Sequence, residues 1–145
     1  MRLRRRRWDV QDVGREITFD ELLAVAQGGA EDVAKTMRPD EDWQPTLLVS
    51  GPRGSTSFAL DVRREPGELM HREIPDAVAS VDGTRWAFFC SSWMRWFEAD
   101  EPKEVVVLLA REGEREDAFH APILRAPNSP PELGEWKAVT AEIRT

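Results

Sequence analysis

The chain has 145 residues, 41% of them hydrophobic and 32% charged, which suits one domain with a core of its own. Its one cysteine, Cys90, excludes an internally disulfide-stapled domain, and no apolar run approaches the ~20 residues a membrane-spanning helix needs. The net charge of −7 is uneven: Arg2, Arg4, Arg5, Arg6 and Arg7 stand together, while residues 8–145 carry 15 basic against 27 acidic residues, a balance of −12 that repels nucleic acid everywhere but at the tail.

In chain order, residues 1–15 have no apolar periodicity and read as a basic, flexible tail. Their charge matches the start of a secretory leader, but Trp8-Asp9-Val10-Gln11-Asp12 is polar where an apolar stretch would follow, so the expected compartment is the cytoplasm. Thr18-Phe19-Asp20-Glu21 is a capping box. Behind it Leu22, Leu23, Val25, Ala26, Ala30, Val33, Ala34 and Met37 form a helical stripe, weakened at Gly28-Gly29 and ended by Pro39. Thr46-Leu47-Leu48-Val49-Ser50, the turn Gly51-Pro52-Arg53-Gly54, and alternating Phe58, Leu60 and Val62 predict a β-hairpin. Residues 65–81 suit a helix through Leu69, Ile74, Ala77 and Val78, which Pro75 must kink or start afresh.

Asp82-Gly83 turns the chain into Trp86-Ala87-Phe88-Phe89-Cys90-Ser91-Ser92-Trp93, apolar on both faces and therefore an interior strand. Val105 to Ala110 is a second such run. Ala118 to Arg125 returns after a charged loop, and Pro122 places this last strand at a sheet edge or at a bulge. Six Trp and six Phe without a Tyr supply large core residues. From Ala126 on, Pro127, Pro130 and Pro131 keep the chain extended up to Trp136, the expected anchor of the arm. The organisation is a tail (1–15), a single α+β domain (16–126) and an extended Pro-rich C-terminal arm (127–145). The expected fold is a mostly antiparallel sheet of about five strands in the order α-β-β-α-β-β-β, with one or two helices packed on one face.

Asp40-Glu41-Asp42-Trp43 through Leu47-Leu48-Val49, Val105-Val106-Val107-Leu108-Leu109, Ala121-Pro122-Ile123 and Leu133-Gly134-Glu135-Trp136 resemble a family of small uncharacterised proteins from high-GC bacteria, over roughly residues 18–137. The resemblance implies a compact domain and carries no activity with it. Arginine in place of lysine, and Asn128 as the lone asparagine, fit such an origin.

Residues with chemistry are few. His71-Arg72-Glu73 matches the H-x-E half of zinc deaminases, but the P-C-x-x-C half is missing; a solvent-facing helix turn explains it more simply. His71, His120 and Cys90 are too few for a zinc site without carboxylates, so no metal and no cofactor is assigned. Cys90 and His120 would form a nucleophile–base pair only if their strands were neighbours, and the apolar setting of Cys90 favours an inert, buried thiol. Gly51-Pro52-Arg53-Gly54-Ser55-Thr56 lacks the spacing and the lysine of a phosphate loop.

The leading expectation is a non-enzymatic accessory or interaction module. Trp93, Trp96 and Phe97 are its contact residues, toward a protein partner or a second copy, because Trp is enriched at interface hot spots. The alternative is a small hydrolase or transferase using His71 and His120 with a carboxylate. A third reading is weak nucleic-acid binding, through the tail residues Arg4, Arg5, Arg6 and Arg7 alone. No membrane partner is expected.

Overall fold

The capping box at the start of α1 (Phe19–Ala34) forms as its spacing requires: the Thr18 hydroxyl accepts the Glu21 amide at 3.1 Å, and the Glu21 carboxylate accepts the Thr18 amide at 2.9 Å. The computed structural model describes residues 14–60, 69–95 and 101–139, with Arg4–Arg5 as backbone. Phe19, Leu22, Ala26, Gly29, Ala30 and Ala34 make the buried stripe of α1. That stripe carries the helix unbroken through Gly28-Gly29, since packing outweighs a propensity cost of about 1 kcal/mol per glycine. Trp43 then folds back onto the helix, 2% exposed, and donates its indole Nε1 to the Ala30 carbonyl at 2.9 Å.

β2 (Thr46–Gly51) and β3 (Gly54–Ala59) form the expected hairpin. A π-helical turn at Leu69–Glu73 runs directly into α2 (Ile74–Ser80), whose Pro75 sits in the first turn, where its missing amide costs nothing. Three long strands follow: β4 (Arg85–Met94), β5 (Lys103–Glu112) and β6 (Arg115–Ala126). Two short ones, β7 (Ser129–Leu133) and β8 (Lys137–Ala138), pair with β6, so the Pro-rich stretch joins the sheet over residues 129–138. Arg4–Arg5, named β1, pair with β3 at the far side.

The result is one antiparallel sheet in the order β1-β3-β2-β4-β5-β6-β7, curled into a half-barrel, so the α+β antiparallel reading holds. Among the described residues it has eight strands rather than about five, because the two-residue β1 and β8 and the proline-bearing β7 carry too little apolar pattern to be recognised. The helices also lie on opposite faces, not on one. Leu48, Ala87, Phe89, Val106, Leu108 and Ala110 pack under α1, whereas Leu47, Val49, Phe58, Trp86 and Phe88 pack under Ile74 and Ala77 of α2. Alternate side chains of β2 and β4 therefore enter two separate cores, which is why both strands read as apolar on both faces.

Pro122 lies inside β6, opposite Val105. Its carbonyl accepts the Gly134 amide at 2.8 Å on the outer side, so its donor-free nitrogen also faces outward, into the gap between β7 and β8. The register shift in β6 falls slightly further on, between Leu124 and Ala126.

Candidate functional site

Along β4 the odd-numbered side chains point toward α1. Ala87 and Phe89 are buried beneath the helix, Ser91 is half-buried, and Trp93 stands out, 67% exposed, where the cover of α1 ends. Across the strand pair Trp93 faces Glu104 of β5. Glu104 is gripped by Arg125 of β6 through two bonds of 2.7 Å, from Nε to Oε1 and from Nη2 to Oε2. The same guanidinium reaches the Pro39 carbonyl at 2.8 Å, the Glu41 carbonyl at 3.0 Å and the Asp42 carboxylate at 3.0 Å. Hydrogen bonds from Arg125 hold the Glu104 carboxyl below its ordinary range. The corner therefore presents an indole beside fixed carboxylates, Glu104 and Asp42, with Asp40 and Glu41 in the adjoining turn.

Of the other expected contact residues, Trp96 and Phe97 lie outside the described residues. So do Arg6 and Arg7 of the tail, while Arg4 and Arg5 form β1.

The residues weighed for catalysis are placed apart from one another. β5 lies between β4 and β6, and the register sets Cys90, Val107, His120 and Lys137 in one row across four strands. Cys90 and His120 are thus two strand spacings apart, about 10 Å, far beyond hydrogen-bond reach, and the neighbouring-strand condition for that pair is not met. Burial pushes the Cys90 thiol up to about 11, so it is a protonated thiol at neutral pH. His120 is 8% exposed, and burial, then the nearby Lys137 charge, lower its pKa. His71 sits on the π-helical turn, exposed, whereas Glu73 two residues later is 1% exposed. The two halves of H-x-E therefore point in different directions. Among the described residues no group of three or more His, Cys, Asp or Glu is arranged to hold a metal.

Two features escaped the sequence reading. Glu73 shares the inward stripe of Met70, Ile74 and Ala77, a signal that the helical period already contained. Arg125 as a clamp had no such signal, because its partners come from residues 39–42 and from Glu104, brought together only by the sheet. A hollow of about 430 Å³ between α1 and β7 is edged by Glu31, Lys35, Pro130, Pro131 and Glu132, and the Trp136 indole closes on Glu31 at 2.9 Å beside it.

No helix among the described residues is long and apolar enough to cross a membrane. In comparisons with known proteins, the chain matches no family model, no curated protein sequence and no solved structure.

Proposed function

We propose that the chain is a cytoplasmic, non-enzymatic interaction module whose contact corner is Trp93 with the carboxylates of Glu104 and Asp42. The observation that carries this reading is the exposure of Trp93, 67%, on a strand whose other residues on that face are buried or half-buried. A buried indole would contribute a few kcal/mol to folding, so one held in water adds little there and is available to a partner. The neighbouring carboxylates define the partner's chemistry. A cationic side chain can lie over the indole face and pair with Asp42, the exposed carboxylate of the corner. The acidic balance of −12 over residues 8–145 would speed the approach of such a basic surface.

A photo-crosslinking aromatic residue at position 93 tests the reading, with the same probe at Leu124, the other large exposed apolar side chain among the described residues, as control. The expected result is a discrete adduct from position 93 that excess unlabelled wild-type protein competes away and Trp93→Ala protein does not. Identical adduct patterns from positions 93 and 124 would remove the proposal.

A further inference from the structure

The two ends of the sheet are protected in different ways. β7 carries Pro130, Pro131 and Glu132 in its own sequence, and both residue types hinder pairing with a further strand. β3, near the opposite end, reads Gly54-Ser55-Thr56-Ser57-Phe58-Ala59, with neither a charge nor a proline. Its inner side pairs with β2 along its whole length. Left bare, its outer side would be a neutral row of amides and carbonyls, the usual template for a strand from another molecule.

That outer side is met instead by the N-terminal part of the same chain. Arg4 pairs with Ala59 and Arg5 with Phe58. At the other end of β3, the Ser55 amide donates to the Gly14 carbonyl at 3.3 Å and the Ser55 hydroxyl to the Arg15 carbonyl at 2.6 Å. Gly54 has φ +105°, and a Cβ there would overlap the Gly14 oxygen, so the close approach of this segment depends on glycine.

We propose that the arginine-rich N-terminal segment is an edge guard: it occupies the outer side of β3 within its own chain and keeps the β3 of a second copy from pairing there. Two β3 edges are well suited to each other, because antiparallel pairing about a two-fold axis brings identical neutral strands together. Arginine suits the guard, since a strand of like charges repels another copy of itself.

The test is the oligomeric state of the full chain, measured by light scattering across a wide concentration range. Wild type is expected to be monomeric. Arg4→Pro removes the amide that the register aims at β3, opposite Ala59, and should form a concentration-dependent dimer, while Arg4→Ala keeps that amide and should pair as wild type does. Deletion of residues 2–7 is the second variant and should also dimerise; it removes none of the core residues among the described residues, which begin at Ile17. In a Cys90→Ser background, Arg4→Cys/Ala59→Cys should close a disulfide within one chain, because those positions are direct partners. A wild-type dimer built through β3, a folded deletion variant that stays monomeric, or a disulfide formed only between chains would each overturn the proposal.

Discussion

Arg125 and Glu104 meet fork to fork across β6 and β5, and the same guanidinium ties the turn at residues 39–42 to the sheet. Bidentate pairing of this kind is specific to arginine, because lysine offers one compact charge and no planar fork. Arg125→Ala strips both hydrogen bonds from Glu104, whose side chain is 15% exposed in the intact pair, and frees two backbone carbonyls. It should lower the unfolding free energy by about 2–3 kcal/mol, read by urea denaturation. Arg125→Lys should recover only a minor part of that loss.

Trp93→Ala should separate binding from folding. Its effect on stability is expected to stay within about 0.5 kcal/mol, because the side chain is mostly in water. Partner adducts should disappear. Raising the salt concentration should weaken the wild-type interaction through a slower association rate, since acidic groups steer the approach. A drop in melting temperature as large as that of a core variant would instead make Trp93 structural.

His120 gives stability a dependence on pH. Its folded pKa is lowered by burial, so the unfolded chain takes up a proton first as the solution is acidified. Its contribution is complete above the unfolded value, about 6.5, and is lost as pH falls from there to the lowered folded value. Below that the His120 contribution no longer changes. His120→Gln should flatten the slope in this window and leave the carboxylate-driven acid transition in place, as measured by denaturation at a series of pH values.

Cys90 should be a slow thiol. With its pKa pushed up to about 11, its thiolate fraction at pH 8 is lower than that of an ordinary cysteine by roughly 100-fold. Alkylation of the native protein should be slower by at least that factor and should return to the ordinary rate in denaturant. Fast labelling of the folded chain would contradict the burial of Cys90.

Local chemistry was legible in the sequence wherever the partners are close along the chain. The Thr18–Glu21 box, the restart at Pro75 and the β2–β3 turn all depend on contacts within a few residues. The apolar faces of β4 and β5 are also legible: a strand with Phe88 on one face and Phe89 on the other needs a cover on both sides, and α2 supplies the second. What the sequence could not show is register. Which residue lies opposite Trp93, what separates Cys90 from His120, and where the Arg125 fork lands are set by strand order, through contacts between residues far apart in the chain.

Pro122 divides the outer partner of β6 in two. Between β7 and β8 the link to β6 at this position is the single bond from the Gly134 amide to the Pro122 carbonyl. A continuous strand would have to peel away as one unit. Here the ladder is interrupted, so β7, backed by Leu133 against the α1 core, and the two-residue β8 can open separately. In native-state hydrogen exchange the end of the chain should therefore report two independent openings, with β8 the faster, while the amides shared by β5 and β6 exchange only when the whole domain unfolds.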